Sequence, residues 1–344
     1  MKQFKKICKY IFLLSIVAIF LAGCGKEEKN ESKEGANTLE QVDDGEALRT
    51  IEDDYPNLDL NNEQEVEAWL QKFNPDKYEY STEYMKYYFK YFEKYQYEVN
   101  WDVLWTVVES IDADGKDENG NIVRMQVDMT ESDVDYFSNT MSELFKEEIE
   151  KATNGYVKVN IDKLTVPLID KLDIEDNSIT MDCFQEEISN NFSKYNTVVV
   201  TARYSTGEEP ECVYLDWAGL CYGAVDDQYG YLLVPVLDET IEEGNENYIV
   251  TEDKPWPFEP WIHEFEHSLE DFAEAAQIPI ASPDEAGKYG YEDVYPDYMN
   301  GYLPYYEDNM TGNVWDENEN RYRGMTEAMW SAYAYYYDRV KSGY

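Results

Sequence analysis

Apolar residues recur at helical spacing, with charged residues between them, in the segment from Glu63 to Val108. Trp69, Leu70 and Phe73 begin the pattern, and a run of aromatic residues from Tyr84 to Tyr95 continues it. A period near 3.6 residues is typical of amphipathic helices, and aromatic residues at that spacing are usually core residues. The pattern therefore predicts two or three amphipathic helices in this segment.

Farther along the chain, predicted helices alternate with β-rich runs. The segment 132–152 again has helical spacing, whereas 156–164 and 196–203 are rich in β-branched residues. We expect the run at 196–203 to be a central strand. The run from Tyr229 to Leu237 predicts a further strand, and this strand should lie at a sheet edge because Pro235 cannot donate a ladder hydrogen bond.

The fold class that follows is α+β. The acidic run from Asp112 to Asn121 predicts a connecting loop, because Lys116 and Asp117 stand where a calcium-binding loop needs an oxygen ligand and a glycine. We divide the chain into a mostly helical region, residues 55–154, and an α+β domain, residues 155–344.

The beginning of the chain has the pattern of a targeting segment. Four lysines precede an apolar run, Tyr10 to Ala22, which is shorter than the roughly 20 residues that span a bilayer. The run closes on Leu21-Ala22-Gly23-Cys24, which resembles the lipobox of bacterial lipoproteins. The resemblance implies a signal peptide over residues 1–23 and a diacylglyceryl group on Cys24. This lipid would anchor the protein to the outer face of the cytoplasmic membrane, at the bacterial cell surface.

Composition limits the partners. The chain has 344 residues with 73 acidic and 28 basic side chains, and its net charge of −45 excludes unaided binding to nucleic acid or anionic lipid. Residues 24–54 are polar and charged, so we expect a disordered tether. Three cysteines remain after Cys8 and Cys24 are set aside, which permits at most one disulfide. They are Cys183, Cys212 and Cys221.

The two histidines of the chain both lie in one pentapeptide, His263-Glu264-Phe265-Glu266-His267. Residues i and i+4 share one face of a helix, so both imidazoles can reach one tetrahedral zinc ion. Glu264 would then be the general base for a water molecule. The segment 260–276 predicts the required helix, because Pro260 suits a first helical turn.

A catalytic zinc ion needs a third protein ligand, and without another histidine a carboxylate must supply it. Asp297, Glu285 and Glu327 are the candidates, with Asp297 preferred because apolar neighbours would hold it inward. Glu270 shares the helix face with both histidines, and we expect it to orient His267 rather than bind the metal. Tyr291 could supply a phenol to a tetrahedral intermediate.

The pentapeptide resembles the zincin superfamily of zinc metallopeptidases. Residues 195–344, including Tyr289-Gly-Tyr291 and Pro296-Asp-Tyr-Met-Asn300, are similar to a group of secreted zincin-like lipoproteins of gluzincin or aspzincin type. Glu270 and Asp271 replace the start of the metzincin continuation, so the resemblance does not extend to that group.

The resemblance implies a zincin-like catalytic domain over residues 155–344 that binds Zn²⁺ and hydrolyses extracellular peptides or proteins. An extended substrate could pair with the strand at Tyr231 to Leu237. The alternative is a solute- or partner-binding lipoprotein in which the histidine motif is structural or vestigial. Zinc content and turnover distinguish these two functions.

Overall fold

The computed structural model describes residues 99–205, 212–222, 229–237, 259–275, 278–291 and 302–341, together with isolated positions between 59 and 92. Residues Leu48–Tyr344 belong to one compact unit. The expected signal peptide, Cys24 and the whole expected tether lie outside the described residues.

The described chain contains both strands and helices. The strands are β1 Val99–Val108, β2 Ser110–Lys116, β3 Ile122–Asp128, β4 Val157–Val166, β5 Thr197–Tyr204, β6 Leu220–Tyr222, β7 Gly230–Leu237, β8 Val314–Asp316 and β9 Arg321–Arg323. The helices are α1 Glu131–Asp135, α2 Ser142–Ala152, α3 Glu186–Ser189, α4 Glu259–Ala275, α5 Tyr302–Met310 and α6 Glu327–Lys341. A π-helical segment, Tyr136–Met141, joins α1 to α2.

The main sheet has five strands in the order β4-β1-β5-β7-β6. β4, β1, β5 and β7 run parallel, and the short strand β6 is antiparallel to β7. This mixed sheet with its helices is compatible with the expected α+β class. β5 is the middle strand, as the sequence predicted for 196–203, and it is buried along nearly its whole length because helices cover the sheet.

The prediction of helices up to Val108 is wrong for residues 99–108, which form β1. β1 lies between β4 and β5, so the sheet crosses the expected boundary near residue 155, and the described part of 55–154 is not mostly helical. Apolar residues occupy both faces of this inner strand. Its period-2 signal is therefore obscured, as is usual for strands that are covered on both sides.

The acidic run 112–121 is a connecting loop only in its second half: residues 112–116 belong to β2, and residues 117–121 form the turn between β2 and β3. Ala113 is fully buried, whereas its neighbours Asp112, which is partly exposed, and Asp114, which is exposed, pair with Arg124 at 2.7 and 3.1 Å. The alternation of buried and exposed positions is the strand signal. The cation on the opposite strand offsets the repulsion between the acids.

The prediction that Pro235 lies at a sheet edge is correct for one side of β7. β6 pairs only with residues 231–233 of β7, so among the described strands the outer side of Pro235 has no paired neighbour. The other side of this part of β7 faces β5, with Ala202 opposite Pro235.

Helix α4 packs against the sheet beside β6 and β7. Trp261 donates its indole N–H to Thr201 of β5 at 2.9 Å, and Phe265 contacts Trp101 of β1 edge-on, with ring centroids 6.1 Å apart. A Cβ at Gly230 would lie 2.9 Å from that of Ser268, so glycine permits the close approach of helix and strand. These contacts fix one side of α4 in the core and leave the histidine side facing the segment 278–291.

Candidate metal centre

His263 and His267 lie one turn apart on α4, as the sequence predicted, with ring centroids 4.9 Å apart. Their side chains are 21% and 27% exposed, so both rings are held by packing and still reach solvent. Pro260 lies in the first turn of the helix, where its missing N–H has no intrahelical partner to lose.

The carboxylate that the structure brings to the two imidazoles is that of Asp284. Its Oδ1 lies 3.4 Å from His263 Nε2, and its Oδ2 lies 3.9 Å from His267 Nε2. Asp284 belongs to the 3₁₀ segment Pro283–Tyr289, which returns across α4 after the helix ends. Tyr305 of α5 donates a hydrogen bond to the Ser282 carbonyl and so helps to hold this return.

These three residues fit a zinc ion. Within the part of the chain that the structure describes, they are the one group of three candidate ligands whose donor atoms all lie within 4.8 Å of one another. Tetrahedral zinc with bonds of about 2.0 to 2.1 Å separates its ligands by roughly 3.3 Å, close to the 3.4 Å between His263 and Asp284. Two imidazole nitrogens and one carboxylate leave a fourth position open, as catalytic zinc sites require.

The Nδ1 atoms of both imidazoles have hydrogen-bonding partners, which leaves both Nε2 atoms available for a metal ion. His267 Nδ1 donates to Glu270 Oε2 at 3.0 Å, and Ser282 Oγ donates to the same oxygen at 3.2 Å. This contact is the one that the sequence analysis expected of Glu270. His263 Nδ1 lies 2.7 Å from the hydroxyl of Tyr306. With Nδ1 protonated, Nε2 is the nitrogen that carries the lone pair when each ring is neutral, and it faces Asp284.

The charges around His263 act in opposite directions. Burial lowers its pKa, but the hydrogen bond to Asp284 and the charges of Glu259, Glu264 and Asp284 raise it, with a net increase to about 9. The same hydrogen bond to His263 lowers the pKa of Asp284. The site thus attracts positive charge, whether a proton or a metal ion supplies it.

Glu264 lies beside the imidazoles and is only 6% exposed. Burial raises its pKa to about 6, although His263 and His267 oppose that rise. A carboxyl group with a pKa near neutrality can both accept and release a proton under ordinary conditions. Gly219, immediately before β6, passes so close to this carboxylate that a Cβ there would overlap it.

Glu266, on another side of α4, is fully buried and accepts a hydrogen bond from Asn309 Nδ2 at 2.6 Å. The same amide nitrogen donates to the Ala281 carbonyl at 3.0 Å. Burial raises the pKa of Glu266 well above its ordinary value, and the bond from Asn309 opposes only part of that rise. Glu266 therefore links α4, α5 and the segment that leads to Asp284.

The other predicted residues are placed as follows. Asp297 lies outside the described residues. Glu285 turns its carboxylate to Lys288 Nζ at 2.6 Å and to the Tyr289 hydroxyl at 3.3 Å, away from the group formed with Asp284. Glu327 is exposed at the start of α6. Tyr291 donates its hydroxyl proton to Asp308 Oδ2 at 2.5 Å and would have to leave that bond to act on a substrate.

Sequence reasoning missed Asp284, although it is the neighbour of Glu285. Ser282-Pro283-Asp284-Glu285 is a helix-start pattern, and two acids in a first turn look alike in sequence. Tyr306 and Glu259 were also missed. Glu259 alone carried a signal, since it precedes His263 by four residues and so shares its helix face.

The thiols take no part in this centre. Cys183, Cys212 and Cys221 are all free, and burial raises the pKa of Cys221 well above its usual range. Among the described residues, no helix is both long enough and apolar enough to cross a membrane.

No protein-family model, no curated protein and no solved structure matches the chain.

Proposed function

We propose that this protein is a zinc-dependent metallopeptidase of zincin type. The observation that carries the proposal is the convergence of two imidazole Nε2 atoms and the Asp284 carboxylate on one point, with Glu264 buried beside them. A structural zinc site would have four protein ligands and would need no adjacent carboxyl group. The open fourth position and the neighbouring base favour catalysis.

The proton transfers belong to Glu264. Zinc bound at the site would supply Lewis acidity, which polarises a carbonyl group and lowers the pKa of water. Glu264 would take a proton from the water whose oxygen attacks the scissile carbonyl carbon. It would return that proton to the amide nitrogen as the C–N bond breaks, so that one water molecule yields a carboxylic acid and an amine.

The substrate would lie along β6. The sequence suggested pairing with residues 231–237, but β6 covers residues 231–233 and is the outermost described strand of the sheet. The exposed edge of a strand can accept an extended peptide as an additional strand. Gly219 brings the start of this edge next to Glu264, so a peptide paired there would pass the base.

We also propose that the domain acts outside the cell. Lipid on Cys24 would tether it to the outer face of the membrane, and the acidic tether would separate it from the anionic surface. Its substrates would be extracellular peptides or proteins. The charge of −45 does not favour nucleic acid as a partner.

The test is Glu264→Gln in the full-length protein, assayed on an unbiased peptide library. The variant should keep its zinc and lose about 10²- to 10⁴-fold in hydrolysis, because the attacking water lacks its base. Glu266→Gln is the matched control: it has the same substitution on the same helix, and hydrolysis should stay close to that of the wild type.

Unchanged turnover in Glu264→Gln would contradict the assigned base. A wild-type protein that holds zinc and cleaves nothing in the library would favour the non-catalytic binding lipoprotein instead. Mass spectrometry of the products would also identify the cleaved bond.

A further inference from the structure

We propose that Tyr306 and Glu259 hold the imidazole of His263 in the one form that can bind the metal. The proposal rests on the zinc centre described above and adds two positioning residues to it. The Tyr306 hydroxyl donates to Glu259 Oε1 at 2.8 Å and lies 2.7 Å from His263 Nδ1. Glu259 Oε1 itself is 3.6 Å from the same nitrogen.

The direction of these hydrogen bonds decides which nitrogen of His263 carries a proton. A phenol has one proton, and a carboxylate can only accept, so the Tyr306 proton goes to Glu259. The phenol oxygen must then accept from Nδ1–H of His263. In the neutral ring, Nε2 is therefore the nitrogen without a proton, on the side of Asp284. If the chain of bonds ran in the opposite direction, the proton would be on Nε2 and the ring could not bind the metal.

Packing fixes both partners in place. Glu259 lies one helical turn before His263, and Tyr306 reaches the site from α5 with almost no exposed surface. Helix α5 is joined to α4 a second time through Asn309 and Glu266. The phenol oxygen therefore has little freedom to move away from His263. The two histidines differ in this respect, because the carboxylate of Glu270 contacts His267 directly.

Two substitutions separate this role from simple packing. Tyr306→Phe removes only the hydroxyl group. Glu259→Gln keeps the shape, but its amide can donate to the phenol and so permits the reversed direction of bonds. Zinc affinity, measured by competition with a chelator on the full-length protein in detergent, should fall about 10- to 100-fold in both variants. Tyr337→Phe is the control, since it removes a buried hydroxyl that contacts Tyr333, and its affinity should equal that of the wild type.

A second measurement reads the hydrogen bond directly. Because the chain has two histidines, NMR of protein labelled with ¹⁵N-histidine contains two imidazoles. In zinc-loaded wild type and Tyr337→Phe, Nδ1–H of His263 should exchange slowly with water. In Tyr306→Phe this exchange should be faster, and circular dichroism should show an unchanged fold.

Equal zinc affinity and equal Nδ1–H exchange in wild type and Tyr306→Phe would overturn the role of Tyr306. A wild-type protein that binds no zinc would overturn the metal centre, and the inference with it. The wild-type sample alone distinguishes these two results, because it binds zinc in the first and binds none in the second.

Discussion

Helix α4 places two glutamates, Glu264 and Glu266, in different surroundings on either side of Phe265. Glu264 lies between the imidazoles and the start of β6, with 6% of its surface exposed. Glu266 lies between α4, α5 and the Ala281 carbonyl, where the amide of Asn309 is its partner. Both are buried carboxyl groups in one pentapeptide, so burial alone does not separate the proposed base from a structural group.

The difference comes from how completely each is buried and from the charges nearby: His263 lowers the pKa of both, and His267 also lowers that of Glu264. Burial raises the pKa of both, but His263 and His267 limit the rise at Glu264 to about 6. Glu266 has a neutral amide as its hydrogen-bonding partner, and its pKa stays well above the ordinary value. Glu264 can therefore exchange a proton near neutrality, whereas burial favours the neutral form of Glu266, which links α4 to α5 through Asn309.

The largest expected effect lies on the metal-facing side. His263→Ala or His267→Ala should reduce zinc from about one ion per chain to a small fraction, because two ligands bind far more weakly than three. Glu266→Gln should keep a full complement of zinc. Metal analysis by mass spectrometry on the purified full-length protein measures this. Equal zinc content in all four proteins would remove the distinction between the two sides of the helix.

Adjacent acids on the returning segment sharpen the comparison. Asp284→Ala should lose more zinc affinity than the roughly 10- to 100-fold typical of residues that only orient a ligand. Glu285→Ala should bind zinc like the wild type, since its carboxylate is paired with Lys288. Chelator competition gives both affinities. The reverse order would assign the ligand to Glu285. If neither variant lost zinc affinity, Asp297 would be the next candidate for the third ligand.

Gly219 tests whether the position of Glu264 matters beyond its pKa. In Gly219→Ala the new methyl group must displace the Glu264 carboxylate or the start of β6. A displacement near 1 Å of a catalytic group lowers the rate by about 100-fold, and zinc content should not change because no ligand moves. Peptide hydrolysis and metal analysis on the same sample check this. Gly230→Ala, which affects Ser268 on another side of α4, is the matched comparison. Hydrolysis at the wild-type rate in Gly219→Ala would contradict the close approach of Gly219 to Glu264.

The smallest expected effect is on the pH dependence of the free energy of unfolding of the metal-free protein. A carboxyl group whose pKa is raised on folding binds more protons in the native state, so its contribution to stability falls as pH rises from the unfolded to the folded pKa. For Glu264, between 4.5 and about 6, this loss is about 2 kcal/mol. Glu264→Gln should remove it within that window.

The loss due to Glu266 should continue to higher pH, at up to about 1.4 kcal/mol per pH unit. Glu266→Gln should therefore flatten the stability profile above pH about 6, where Glu264→Gln no longer differs in slope from the wild type. Urea unfolding of the three metal-free proteins across this range measures the slopes. Parallel profiles for all three would show that the two glutamates do not differ in proton affinity.

Some elements were readable from the sequence because their signals are local. Helix α4 has a side-chain period, and the central strand β5 has a run of β-branched residues, that one segment displays without its neighbours. The positions of His263 and His267 on one helix face follow from spacing alone. Strand β1 escaped because both of its faces are buried, and an apolar run with that pattern also fits a helix.

What the sequence by itself determined is the chemistry that was available: two histidines four residues apart, a glutamate between them and a large excess of carboxylates. What only the tertiary structure decided is which carboxylates converge on the histidines. Asp284 and Glu285 are adjacent, yet one faces the imidazoles and the other faces Lys288. Tyr306 reaches His263 from a helix 43 residues away along the chain. This convergence depends on how distant segments fold back and pack across α4. The spacing of side chains within one segment does not specify that packing.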